Sequence, residues 1–240
     1  LRRELEIAPS VHGDSGLDGP ELPQPKEEAL KISAFELMAK VVEESDEKIT
    51  LVPTGPLTNI AIFLLSYPHL KSKIERISLM GGSAIGGNWT ASAEFNILVD
   101  PEAADIVFKS GIPITMSGLD VTHKAQVYPE DIEKIKNQGG KVAVMVGELL
   151  EFFIKFHKEI CGWEFAPLHD PCAVAWLINP DMFTSKKLNV QIDIDGEHTT
   201  GCTVTDFLNR FKLEPNTDVL LDVDRHQFVD MLIDAVNKYH

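Results

Sequence analysis

The feature that most constrains this chain is a repeated alternation of short apolar runs with longer segments of helical period. Ile49–Pro53, Ile77–Met80, Ile112–Met116, Leu188–Ile194 and Val219–Val223 are apolar runs of strand length. Between and around them, residues 29–42, 57–65, 101–109, 129–137, 142–160, 170–178 and 227–238 carry apolar residues at helical spacing. A continuous apolar strand must be covered on both faces, and strand–helix–strand connections make neighbouring strands parallel. The expected fold is therefore α/β: a doubly wound, mostly parallel sheet with helices on both faces. No internal repeat, low-complexity tract or linker divides the chain, so residues 1–240 are expected to form one domain. In such sheets ligands bind beyond the carboxyl ends of the strands. That directs attention to the loops at 54–56, 81–96 and 117–123.

Composition narrows the partners. A net charge of −15 repels nucleic-acid backbones and anionic membranes, so neither is expected as a partner, while a small neutral ligand or a cation is compatible with it. Three cysteines without CxxC spacing are neither a disulfide framework nor a zinc site, and reduced thiols in the cytoplasm are expected. No apolar run is long enough to span a bilayer. Neither GxGxxG nor GxxxxGK[ST] occurs, which counts against a nucleotide-binding α/β protein.

Three segments carry chemistry. The first, residues 11–20, reads Val-His-Gly-Asp-Ser-Gly-Leu-Asp-Gly-Pro; its glycines allow tight turns or close backbone approach, and a plain surface loop accounts for them equally. The second runs from Met80-Gly81-Gly82 through Asn88, Glu94 and Asn96 to Asp100. Amides and carboxylates in one strand-end loop suit sugar hydroxyls, and a carboxylate favours the positive charge that grows on a ribose as its glycosidic bond breaks. Asp100, followed by Pro101, reads as a helix cap. The third is His169-Asp170-Pro171 at the start of a helix. Aspartate is a hard oxygen ligand and histidine can protonate a leaving nitrogen, though an N-cap beside a half-buried histidine explains the pair as well.

Taken in order, these segments resemble the inosine–uridine-preferring nucleoside hydrolase family. The matching stretches are residues 12–20, ITLVPTGPLTNIA (49–61), ISLMGG (77–82), AEFNILVDPEAADIVF (93–108), GLDVTH (118–123), HDPCAVAWLINP (169–180) and TVTDF (203–207). The resemblance implies an enzyme that cuts the N-glycosidic bond of ribonucleosides, releasing ribose and a free base, with one Ca2+ in its site. It implies Thr54, through its carbonyl, and Asp170 as metal ligands. Asn88, Glu94 and Asn96 would hold the ribose, with Met80 packed near the sugar. His169 would be the acid for the departing base and His12 a second pocket histidine. A segment before His169 contains Trp163 and Phe165, either of which could stack on a base, with Trp163 carried forward as the candidate and packing of both as the other reading. A homodimer or homotetramer is implied as well.

The sequence departs from the family pattern in one respect. Family members open with an aspartate cluster of pattern DxDxxxDD, which supplies the general base and further metal ligands, and no such stretch occurs here. The first residue is Leu1, so the chain is expected to be an N-terminally truncated domain lacking the opening strands, and inactive or nearly so by itself. The alternative is a nucleoside-binding or structural relative that has lost catalysis.

Overall fold

The computed structural model describes residues 1–13 and 15–239, and of Ser10 and His12 the backbone alone. In chain order the elements are α1 (Pro9–His12), α2 (Ala34–Glu44), β1 (Ile49–Leu51), α3 (Thr58–Ser66), β2 (Ile74–Met80), α4 (Phe95–Val99), α5 (Pro101–Phe108), β3 (Ile114–Ser117) and α6 (Leu119–Thr122). They continue with β4 (Gln126–Val127), α7 (Pro129–Lys136), α8 (Gly140–Cys161), β5 (Ala166–Pro167), α9 (Asp170–Ile178), β6 (Phe183–Ile192), β7 (Thr203–Asp206), β8 (Thr217–Val223) and α10 (Arg225–Val236). Two compact units emerge. One is made of Leu1–Leu5, Ala29–Thr122 and His169–Asp222; the other of Glu6–Glu28, His123–Leu168 and Val223–His240.

The first unit holds a six-stranded sheet in the order β1-β2-β3-β8-β6-β7. β1, β2, β3 and β8 pair in parallel, and β6 pairs with β7 antiparallel. Side chains alternate across β2. Ile77 and Leu79 are fully buried in a core with Phe63, Ala103, Ile114 and Met116, whereas Met80 packs with Ala173 and Leu119. The Ser78 hydroxyl donates to the Ala173 carbonyl at 2.7 Å. Helix α9 therefore covers the face opposite the one that buries Ile77 and Leu79, which is the doubly covered arrangement expected of a parallel sheet.

Local signals set the helix ends. The amphipathic period runs back to Ala29, yet α2 starts at Ala34, because Ser33 and Glu36 form a capping box in which each side chain accepts from the other's backbone N–H. Asp100 caps α5 by accepting from the Ala103 N–H at 3.1 Å, with Pro101 at the first position. β7 and the two-residue β4 and β5 were not expected from the sequence; TVTD has no apolar run to betray it.

In the second unit α7 packs against the 22-residue α8, and β4 pairs antiparallel with β5. Asp131, 1 % exposed, anchors this unit. Burial pushes its carboxyl upward, but the Arg225 guanidinium at 2.7 Å, the Tyr128 N–H at 3.1 Å and Lys134 at 3.3 Å outweigh that and hold it below the usual carboxylate range. A lowered folded-state value means the contribution is complete above the unfolded value and disappears as pH falls through the folded one. Asp131→Asn is therefore expected to destabilise the chain at neutral pH, with the difference from the parent shrinking below about pH 4, the unfolded aspartate value. Urea unfolding at stepped pH measures it, and a difference independent of pH would refute the ion-pair account.

Candidate active site

The strand-end loops of the first unit meet around two side chains. Glu94 precedes α4 and caps it: its Oε2 accepts from the Ile97 N–H at 3.3 Å and also from the Gly82 N–H at 2.9 Å. The carboxylate is thus the joint between the loop that leaves β2 and the helix that returns from it. At 2 % exposure burial dominates its titration and raises its pKa to about 7, although the N–H groups of Asn96, Gly82 and Ile97 pull it back down. The negative charge of Asp170 raises it further, which places that carboxylate in the same electrostatic neighbourhood.

Asn96 is the second joint. Its Nδ2 donates to the Met80 carbonyl at 3.1 Å and the Thr54 carbonyl at 3.4 Å, and lies 3.3 Å from Met80 Sδ. Two backbone acceptors leave the amide nitrogen as the only group that suits this position, so the side-chain carbonyl is the end available to a ligand. A strap from the end of β1 to the end of β2 results. Met80 itself is buried, in register with Ser117 of β3, whose hydroxyl is buried without a hydrogen-bond partner.

The turn after β2 is fixed from far away in sequence. Gly82 has φ 76°, in the left-handed region, and a Cβ there would lie 2.8 Å from Thr203 Cγ2. The Thr203 hydroxyl donates to the Ser83 carbonyl at 2.5 Å while accepting the Ser83 N–H at 2.8 Å. Asp120 Oδ2 accepts from the Ala84 N–H at 2.7 Å. Further along, Asn88 is exposed and its Oδ1 accepts from the Phe95 N–H at 3.0 Å; Trp89 meets Phe95 edge to face with ring centres 4.8 Å apart.

From the other side comes the start of α9. His169 is half-buried, and its Nδ1 lies 2.8 Å from the Thr122 hydroxyl, which fixes the ring plane. Asp170 reaches solvent, yet surrounding protein removes enough water to raise its carboxyl to about 6. Burial, then the charge of Asp170, pushes the Cys172 thiol upward, away from thiolate chemistry.

Of the residues singled out in the sequence, Asn96 joins Thr54 and Met80 by hydrogen bonds and Glu94 braces the same loop, while Asp170, next to His169, acts on Glu94 through its charge alone; Asn88 sits at the loop base. Trp163 belongs to the second unit. There it stacks on Phe165 and His157, with centres at 5.1 Å and 5.7 Å, and meets His123 edge-on at 5.1 Å. The side chain of His12 lies outside the described residues. Thr122, Thr203 and Asp120 went unassigned; only their presence in GLDVTH and TVTDF could have flagged them. Among the described residues no group of three or more His, Cys, Asp or Glu is placed to hold a metal ion.

An α/β fold with carboxylates and amides gathered at the carboxyl ends of parallel strands is the usual setting of an enzyme site for a small polar ligand, and solved relatives place it more closely. A purine-preferring ribonucleoside hydrolase from Gardnerella vaginalis superposes with a TM-score of 0.90 at 32% identity, covering 99% of this chain and 77% of that one. A plant nucleoside hydrolase, PpNRh1, does so with a TM-score of 0.88 at 29% identity over 97% of this chain and 75% of that one. The chain belongs to the inosine-uridine preferring nucleoside hydrolase family, whose model matches residues 1–230, and it is a nucleoside hydrolase. Pyrimidine-specific ribonucleoside hydrolases RihA of Photobacterium profundum and Escherichia coli K12 are 56% and 53% identical over all 240 residues, which cover 77% of each.

Proposed function

We propose that the protein hydrolyses the N-glycosidic bond of pyrimidine ribonucleosides, with calcium as its metal. Water adds to C1′ of the ribose as the C1′–N bond breaks; the base leaves with a proton and ribose is released. The observation that carries the reading is the strand-end loop in which the buried Glu94 carboxylate accepts from the Gly82 and Ile97 N–H groups while Asn96 donates to the Met80 and Thr54 carbonyls. The two RihA relatives, named as pyrimidine-specific, support the choice of base.

The donors available suit a hard cation. The Thr54 carbonyl keeps a lone pair beyond the one facing Asn96, and Asp170 offers a carboxylate that little else neutralises. These two would hold calcium, which when bound positions and acidifies the attacking water. The chain's own residues do the rest. Glu94, Asn96 and Asn88 hold ribose hydroxyls, and a carboxylate in a site as dry as that of Glu94 favours positive charge growing on the sugar ring. Met80 supplies an apolar floor. His169, its ring fixed by Thr122, delivers the proton to the departing base. Trp163 is the residue proposed to stack on the base. Residues 1–240 are taken as one hydrolase domain, since the family match runs from residue 1 to residue 230. No helix among the described residues is long and apolar enough to cross a membrane, and three free cysteines fit the proposed cytoplasmic setting. The working form is a homo-oligomer.

In an active form of the enzyme, His169→Ala is expected to slow uridine hydrolysis by about 10²–10⁴-fold, the usual worth of a general acid. A nitrophenyl riboside, whose leaving group needs no proton, should be hydrolysed nearly as fast as by the parent. Equal losses on both substrates would remove the acid role. The 240 residues by themselves, without a DxDxxxDD stretch, are expected to show little or no calcium-dependent turnover. Turnover at ordinary enzyme rates would show that another group serves as base.

A further inference from the structure

We propose that the hollow at the amino ends of β1, β2 and β3 is a binding site for a small organic phosphate monoester. The loops described above leave the carboxyl ends of these strands. At the other end Lys48 stands just before β1, Ile74 opens β2, and Ile112-Pro113 leads into β3. With the 3-10 turn Pro68–Lys73 these residues enclose a cavity of about 510 Å3, a size suited to a small ligand.

Local backbone devices make the hollow. The pairing of β1 with β2 shifts register here: Ile49 opposes Ile74 and Thr50 opposes Arg76, so Glu75 is an extra residue. Strict alternation from Ile77 and Leu79 would put Ile74 on the opposite face of the sheet. The shift turns it into the same core as those two, where it forms an apolar floor with the buried Ile112. Such bulges re-aim side chains and gather beside functional sites. Gly111, with φ 76° in the left-handed region, turns the chain at the rim, and Lys71 Nζ lies 3.8 Å from the point a Cβ there would occupy.

Charge and donors name the ligand. Lys48, His69, Lys71 and the Ser72 hydroxyl border the cavity, and all four residues are exposed. Lys73, in the same turn, is committed elsewhere: it donates to the carbonyls of Val42, Glu43 and Ser45 at 3.2, 2.8 and 2.9 Å and so closes the end of α2. Lys71 has no hydrogen-bond or ion-pair partner among the described residues. Glu75 lies 3.5 Å from Lys48, but both side chains are 60% exposed, and a pair so open to water holds its lysine weakly. On a chain of net charge −15, two lysines and a histidine around one cavity reverse the local sign. Ammonium groups and a hydroxyl suit the several acceptor oxygens of a phosphate. The isoleucine floor suits an apolar body attached to it, which inorganic phosphate lacks.

Titrating the 240-residue chain with phenyl phosphate, followed by backbone amide NMR, tests this; it reads binding alone, so failure leaves the hydrolase reading standing. The Ser72 and Gly111 signals are expected to shift, with a Kd of about 1 mM or below. Inorganic phosphate should bind at least about fivefold more weakly for want of an apolar body, and benzyl alcohol, without the charge, should not bind. Lys71→Glu and Lys48→Glu should each weaken phenyl phosphate at least about tenfold, and Glu75→Gln should tighten it. These positions are exposed, so the variants should unfold in urea like the parent. No saturable shift at Ser72 and Gly111, equal binding of inorganic and phenyl phosphate, or affinity unchanged in both lysine variants would each overturn the proposal.

Discussion

Asp170→Ala in an active form of the enzyme should lower kcat/KM on uridine by at least about 10³-fold, which corresponds to roughly 4 kcal/mol of lost transition-state stabilisation. The reasoning is electrostatic. Asp170 is raised to about 6 by the protein around it, so its ionised form is held at a cost that a cation would remove. The Thr54 carbonyl is the other donor named here, and a backbone group survives any substitution. Removing the carboxylate thus strips the one charged donor among the two, and calcium affinity measured by titration calorimetry should fall together with activity. Because Asp170 reaches solvent, unfolding free energy should change little. Undiminished calcium binding in the alanine variant would sink the ligand assignment.

Glu94→Ala should act mainly on stability. It removes the acceptor of the Gly82 and Ile97 N–H groups in a place that is nearly dry. Each buried donor left without a partner costs about 1–3 kcal/mol, so urea unfolding should show a loss of about 2–6 kcal/mol. Glu94→Gln keeps an oxygen for both donors and should lose less than half as much, while losing the charge proposed to favour the transition state. Comparable stability losses in the two variants would show that the two hydrogen bonds are not what Glu94 contributes.

Much of this fold was legible because the relevant signals are local. Val219–Val223 and Ile77–Met80 are unbroken apolar runs because a strand covered on both faces tolerates little else. Helix α9 begins and ends at the residues its sequence marks, Asp170-Pro171 at one end and Pro180 just past the other. The start of α2 lies inside the amphipathic period, at the cap that Ser33 and Glu36 announce, because a satisfied cap and not periodicity ends a helix. At the site, residue types pointed to the loops that Glu94 and Asn96 brace, and the family likeness supplied the proposed roles. What the sequence could not convey is that Glu94 and Asn96 are also braces. Their partners are backbone groups of Gly82, Met80 and Thr54, brought near only by the pairing of β1 with β2. β7 escaped notice because four residues alternating hydroxyl, valine, hydroxyl and acid carry no recognisable strand pattern.

Thr203 grips Ser83 across 120 positions of sequence, leaving no room for a methyl group on Gly82. The bend that launches the loop proposed to hold the sugar is therefore not an independent part. Its shape is underwritten by a hairpin from the far end of the chain, and natural or engineered change at either position has to be matched at the other. The geometry of the proposed site and the edge-strand architecture are inherited as a pair.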